Sequence, residues 1–478
     1  MSKILMIATG PLLEDGVRFF SGQCLRTLQF AQPLIEAGHE IDLYTHPISA
    51  VGFEPSRDPI MEGATFEGLK YHRFNASDEA MLLDCLHAAL ERFRPDALLG
   101  VNAFPSHLAC CLKTDLPVWC DLNGYALVEA QTRARVYDDD WILGHFHRYE
   151  LSVARRADRF STVSTPQKHA LLGELALVGR MSRFTFDYEF ASVIPNAVAR
   201  RFVELGARTR AQATHDSGEF RILWSGGFNT WTDIDTLVDG VTRAMERDPS
   251  IRFVATGGAI DGHDERTYHR FRARIEASPL ASRFDLRGWV EAARVDELLL
   301  ACDLGINIDA RNYETLFGAR NRLTTMLACG LPILTTRGTE ISRDLIARGL
   351  AIGIDMGDAV GLAGALCHAA AHRDDLRAMG RRGRDFALAE YDARHTIREC
   401  LEWMKAPAWA PDNAERVRRG GPLPLPRRPL NAVEAPLAAL DETPLDDLLR
   451  DRRDLRLLRS RRLFKVAKSI KNALGRGD

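Results

Sequence analysis

Long apolar runs are missing from these 478 residues. No stretch approaches the roughly 18 consecutive apolar residues that a bilayer-spanning helix requires. The opening MSKILMIATGPLLEDG is apolar only briefly before it becomes a Gly/Pro loop with acids. That pattern predicts no secretory signal and a cytoplasmic protein. No Cys-x-x-Cys pair occurs, and nine cysteines scattered from Cys24 to Cys400 suit reduced thiols better than a disulfide framework. A formal net charge of −2 removes any whole-molecule electrostatic case for nucleic acid. Walker loops, Gly-x-Ser-x-Gly elbows and zinc-finger spacings are also absent. YDDDW, Asp138 to Asp140, sits in an aromatic stretch of helical character and reads as a solvated acidic turn rather than a metal-binding Asp-x-Asp. His145 and His147 have no third partner with which to hold a metal.

What is present is an ordinary globular composition, 46% hydrophobic and 27% charged, in a chain long enough for two or three domains. KILMIATG reads as a buried strand, CLRTLQFAQPLIEAG as a helix closed by Gly38, and HEIDLYTH as the next strand. Strand, helix and strand in this order build a parallel sheet. The rhythm continues through DALLGVN, PVWCDLN, DRFSTVS and ASVIPNAV. A polar stretch from Arg200 to Glu219 interrupts it, and FRILWSGG, IRFVATGG, RFDLRGWV, LGINI and PILTT restart it. The expected fold class is therefore α/β, with two doubly wound Rossmann-like domains, residues 1–200 and 201–390, facing across a cleft. Ligands of such sheets sit beyond the carboxyl ends of the strands. Residues 391–405 are expected to form a closing helix that packs back toward the first domain.

Eight of the 21 prolines fall between Pro407 and Pro444, so residues 406–445 read as an extended Pro-rich linker without helix. Residues 446–478 follow as a basic amphipathic tail. Residues 450–478 hold 11 Lys and Arg against 3 Asp and Glu, leaving the body at −10 and this segment at +8. Leu455, Leu458, Leu463, Val466, Ile470 and Leu474 lie close to one helical face, a pattern suited to an anionic membrane surface and thus to peripheral attachment on its inner face.

The ordered set RTLQFAQPLIEAGHEIDLYT, RRADRFSTVSTPQKHALL, FRILWSGGFNTWTDIDTLVDGV, FVATGG, FDLRGWVEAARVDELLLACDLGINI, YETLFG and MLACGLPILTT resembles the GT-B glycosyltransferases, particularly the retaining glycosyltransferase family 4, over about residues 3 to 405. The resemblance implies transfer of a sugar from a nucleotide-sugar to a glycan or lipid-linked acceptor, with retention and no obligate metal or cofactor. Cell-surface polysaccharide or glycoconjugate synthesis is the setting it suggests. A catalytically silent module of the same fold, binding a sugar nucleotide or glycan within an assembly, is the alternative.

The diphosphate of such a donor needs hydrogen-bond donors and positive charge. Gly226 and Gly227 end a strand where backbone can approach a phosphate, and the resemblance implies that Arg322, or Arg320 beside it, adds a guanidinium at a helix start. Glu314 resembles the first acid of the family's E-x7-E motif, which touches the donor sugar, and Thr325 stands where the second acid would hold the ribose. Gly288, in LRGWV, is expected beside the nucleobase, and Glu340 in a loop touching the donor. In the first domain, GPLLEDGVRFFSGQCLRT is a long loop over the cleft, with Gly16, Gly22 and Arg26 as contacts. Asp121 in CDLNGY is the acceptor-side candidate for a catalytic carboxylate.

Overall fold

The computed structural model describes residues 1–12, 21–47, 60–62, 69–75, 77–207 and 218–420. Gly16, most of the Pro-rich stretch and the whole basic tail lie outside the described residues. Two sheets organise what remains. The first contains β1 (Lys3–Gly10), β2 (Glu40–Pro47), β3 (Ile60–Glu62), β4 (His72–Phe74), β5 (Ala97–Val101), β6 (Val118–Leu122), β7 (Arg159–Thr162) and β8 (Ala191–Val193). Their order across the sheet is β3-β4-β2-β1-β5-β6-β7-β8, parallel except where β3 meets β4. The second contains β9 (Phe220–Ser225), β10 (Ile251–Thr256), β11 (Phe284–Leu286), β12 (Leu304–Asn307), β13 (Ile333–Thr336) and β14 (Ile352–Ile354). Its order, β11-β10-β9-β12-β13-β14, is the doubly wound 3-2-1-4-5-6 arrangement, and all its neighbours run parallel. The edge strands β3, β8, β11 and β14 are only three residues long, too short to show a period in sequence.

Alternate residues of β1 point to opposite faces, and both faces are covered. Leu5 and Ile7 pack with Leu82, Leu86 and Leu108 on one side. Ile4 and Met6 pack with Phe30, Leu34 and Trp119 on the other, joined there by Ile397, Cys400 and Met404 from the far end of the chain. The Arg398–Lys405 helix thus belongs to the first lobe's core although it follows the second lobe. Each fully buried Ile or Met contributes roughly 1.5–3 kcal/mol, enough to fix so short a helix. The chain crosses between lobes twice, near residues 194–199 and 391–397, and Val198 N–H donates to Tyr391 O at 2.8 Å where the two crossings meet.

Composition marks residues 200–219 only as polar and 406–445 as a linker without helix, and each stretch holds a helix near its start. The polar stretch beginning at Arg200 opens as the Arg200–Ala207 helix, which buries Phe202 and Leu205. The Pro-rich stretch also starts as helix, Pro411–Arg419. Pro411 occupies the first turn, where its missing N–H costs nothing, and Gly420 closes the helix at φ 68. Asp158 accepts from Ala410 N and Asn413 Nδ2, while Arg180 pairs with Asp412, so buried polar anchors hold a segment whose composition alone predicts extension.

Candidate active site

Both sheets reverse winding direction at their centres, between β1 and β5 and between β9 and β12. A cavity of about 280 Å³ lies there between the lobes. Ser21, Gly22, Asn123, Gly124 and Glu129 line it from the first lobe; Gly226, Gly227, Trp289, Glu314, Arg322 and Thr325 line it from the second. The lobes touch around its rim. Thr132 and Thr230 hydroxyls are 2.7 Å apart, Glu265 N–H donates to Tyr137 Oη at 3.0 Å, and Ser164 Oγ donates to Phe317 O at 2.5 Å.

The glycine pairs ending β9 and β10 are pressed together. A Cβ on Gly257 would lie 2.4 Å from the Gly226 carbonyl, and Gly226 itself has φ 104. Neither position tolerates a side chain, so backbone alone forms this wall. Two helix starts meet opposite it. The Gly22–Glu36 helix is capped by Ser21, whose hydroxyl accepts from Cys24 N, and the Asn321–Ala328 helix begins against it. A Cβ on Gly22 would fall 2.3 Å from Asn321 Nδ2. Both positive helix ends therefore border the same space.

Arg322, in the first turn of the second helix, completes the wall. Its guanidinium lies 3.9 Å from the Trp224 ring centroid, and Nη2 donates to Gly227 O at 3.0 Å. Nη1 is buried without a hydrogen-bond partner, and no carboxylate pairs with this arginine among the described residues. Burial pushes its pKa down to about 10, partly countered by Asp309 and reinforced by the positive charge of Arg320. It is still a cation at neutral pH, and one left without an anion.

Arg320 is the opposite case. It donates through Nε to Asp309 at 2.9 Å and through both terminal nitrogens to Glu314 at 2.8 and 2.7 Å. Burial works against its charge, but the two carboxylates outweigh it and raise its pKa above the ordinary arginine range. Its charge is consumed internally, so of the two arginines Arg322 is free for a ligand and Arg320 orients Glu314. Glu314 borders the cavity with both oxygens held, and burial raises its pKa against the pull of Arg320. Thr325 lines the cavity. Gly288, at φ 64, accepts from Gly257 N at 2.7 Å and shapes the turn, while its neighbours Trp289 and Val290 reach the cavity.

Three expected contacts are misplaced. Asp121 lies within β6, fully buried, and takes Arg26 Nε and Nη2 at 2.9 and 2.7 Å and Ser161 Oγ at 2.6 Å. With its oxygens occupied and no exposed surface, it serves neither as base nor as acceptor contact. Arg26 is likewise fully buried; besides Asp121 it holds Gln29 Oε1 and Pro195 O, at the crossing between lobes. Glu340 accepts from Thr165 N at 2.7 Å and fastens the second lobe to the first, away from the cavity lining.

Residues 236–402 match a family model described as glycosyl transferase-like. Among solved structures the chain resembles sucrose-phosphate synthase from Thermosynechococcus elongatus, with a TM-score of 0.64 and 15% identity over 85% of this chain and 98% of that one. Anabaena HepE in complex with UDP-glucose aligns at 0.57 and 14%, covering 85% and 100%. An E. coli trehalose-6-phosphate structure bound with UDP-2-fluoro glucose aligns at 0.62 and 11%, again over 85% and 100%. No curated protein matches the sequence significantly. The chain has the GT-B fold, with a glycosyl transferase-like domain.

Within this GT-B cleft one lining residue escapes the sequence motifs. Glu129 stands in the first turn of the Ala126–Tyr137 helix with its carboxyl in the cavity wall. Burial pushes its pKa up to about 8, with the charge of Glu314 adding to the effect and Arg320 opposing it. Its only sequence signal is its place, seven residues after the end of a central strand. Elsewhere in the first lobe, Glu79, His107 and Cys111 have ligand atoms within 4.8 Å of one another. Arg148 already neutralises Glu79 through two hydrogen bonds at 2.7 and 2.5 Å, and burial pushes the Cys111 thiol up to about 12, so these groups form a cation-filled structural cluster.

Proposed function

We propose that the chain transfers a sugar from a nucleotide-sugar donor to a hydroxyl of a glycan or lipid-linked acceptor, with retention, as the motif resemblance to glycosyltransferase family 4 implies. The observation that carries this reading is Arg322: a partly buried cation without an anion, its Nη1 enclosed and unpartnered, at a cavity bordered by two helix starts and a glycine wall. A diphosphate supplies the missing negative charge. Its oxygens would take the free Nη1 and the backbone donors, and the leaving charge would be met by groups already oriented in a partly desolvated site. These groups do the work that a divalent metal does at other diphosphate sites. Support for a nucleotide-sugar comes also from HepE, whose complexes hold UDP-glucose and UDP.

The remaining lining fits the rest of a donor. Trp289, Val290, Ile260 and Leu299 give the cavity apolar lining suited to a base. Thr325 offers one hydroxyl to a ribose in place of a carboxylate. Arg320 holds Glu314 rigid, so that a sugar meets a fixed acid. Set against this, Glu314 has spent two hydrogen bonds internally and Thr325 cannot make a bidentate contact, which favours the silent-module reading. Calorimetry with UDP-, GDP-, ADP- and dTDP-sugars, followed by assay of donor hydrolysis with and without EDTA, separates the two. Binding of one donor with slow, EDTA-insensitive hydrolysis supports the transferase; binding without any turnover supports the silent module. Absence of all binding rejects both. Membrane attachment through residues 450–478 remains part of the proposal. Its test is sedimentation with vesicles containing phosphatidylserine, which removal of residues 445–478 is expected to abolish.

A further inference from the structure

The second lobe offers the groups for a nucleotide diphosphate, and on the first lobe, where Asp121 and Arg26 are buried in internal pairs, the cavity wall includes Ser21, Gly22, Asn123, Gly124 and Glu129. On that wall Glu129 differs from its neighbours. Its carboxyl makes no hydrogen bond or ion pair among the described residues, unlike Asn123, whose amide donates to Asn102 Oδ1 at 3.1 Å. It folds back over Gly124: a Cβ there would lie 2.3 Å from Glu129 Oε1, and Gly124 has φ 94. A left-handed glycine thus keeps open the space this carboxyl occupies at the cavity wall. Across the cavity stands Glu314, the acid locked by Arg320.

We propose that Glu129 is a sugar-binding residue of the cleft, hydrogen-bonding a hydroxyl of the donor's sugar from the side opposite Glu314. The proposal rests on the nucleotide-sugar reading and deepens it. Every acid facing Glu129 opposes its ionisation. Glu314 does so from the second lobe, and Arg320 acts the other way; Glu150, on the Trp141–Arg156 helix behind, is itself pushed up by the charge of Glu129. Holding its proton at neutral pH, the carboxyl both donates and accepts, which matches a hydroxyl. A carboxylate at this position would add charge beside Glu314 and the incoming diphosphate. A general base is the wrong role for the same reason, since a group already protonated cannot take the acceptor's proton.

The test compares full-length wild type, E129A and E129Q by calorimetry, each with UDP, GDP, ADP and dTDP and with the corresponding glucose esters. The readout is the ratio of nucleotide Kd to nucleotide-glucose Kd, which isolates the sugar's share. At pH 7 the wild type is expected to favour the sugar ester, E129A to lose about tenfold of that preference, and E129Q to keep most of it, with nucleotide affinity equal in all three. Between pH 7 and 9.5 the wild-type preference should fall while that of E129Q stays level. An unchanged ratio in both variants, or a wild-type ratio that rises with pH, overturns the assignment while leaving nucleotide binding intact. If no nucleotide binds, or if R322A binds as well as wild type, the donor reading itself fails and Glu129 falls with it. Should E129A fold poorly, the pH series on wild type against E129Q decides.

Discussion

Arg320 and Arg322 stand two residues apart at one helix start, yet one is spent and the other is open. Arg320 faces Asp309 and Glu314 and has its charge neutralised within the fold; Arg322 lies over Trp224 with one nitrogen unpaired. The first lobe repeats the spent case with Arg26 and Asp121, both fully buried. Residue type and proximity to a strand end therefore do not distinguish a ligand contact from an internal brace. The count of partners does. Buried charges are tolerated when paired, so an unpaired one marks a place where something else supplies the counter-charge.

The largest effect should come from breaking a spent pair. R26M or D121N leaves a buried charge or a buried fork of donors uncompensated and is expected to cost about 3–5 kcal/mol. A drop in thermal midpoint is the measure, and the double variant R26M/D121L should recover part of it. Next comes the open arginine. R322A should weaken nucleotide binding by roughly 10- to 100-fold, the value of charge-assisted hydrogen bonds. R322M should at the same time match or exceed wild-type stability, because it removes a desolvated cation; a clear loss of stability would place Arg322 among the braces.

Smaller effects sharpen the contrast on the first lobe. The folded pKa of Glu129, about 8, is above its unfolded value, so its contribution is complete below pH 4.5 and is lost as pH rises toward 8. E129Q should equal wild type near pH 4 and exceed it above pH 8 by on the order of 2 kcal/mol. Melting curves across that range give the sign directly. Least of all, E340A removes one exposed contact to Thr165 N, worth at most about 1 kcal/mol, and should alter ligand association rates more than stability.

The central strands were legible in the sequence because a strand buried on both faces is a mostly apolar run ending in glycine, as in KILMIATG and FRILWSGG. That Gly226, Gly227 and Arg322 border the cleft was legible for a related reason: a glycine pair after a strand and a cation at a helix start express local backbone geometry. Pairing was not legible. Nothing in CDLNGY says that Asp121 is claimed by an arginine 95 residues earlier, nor does anything near Arg26 name Asp121 as its partner. Glu129 was hidden because an acid in a first helical turn ordinarily reads as a favourable partner of the helix dipole. The Pro411–Arg419 helix was masked by proline count, since composition averages over a first-turn proline that assists a helix.

Arg26 has a mechanical consequence. Its Nη1 holds Pro195 O at 3.0 Å, and Gln29 holds the same oxygen at 2.8 Å while also reaching Thr396 Oγ1 at 3.0 Å. One helical turn thus grips both strands of chain that pass between the lobes. A fulcrum built this way is stiff, so a swing of one lobe against the other must bend the backbone on either side of the gripped atoms. Opening and closing would then hinge about a fixed axis, and the reach of that swing, more than the chemistry in the gap, would set how large a molecule can enter.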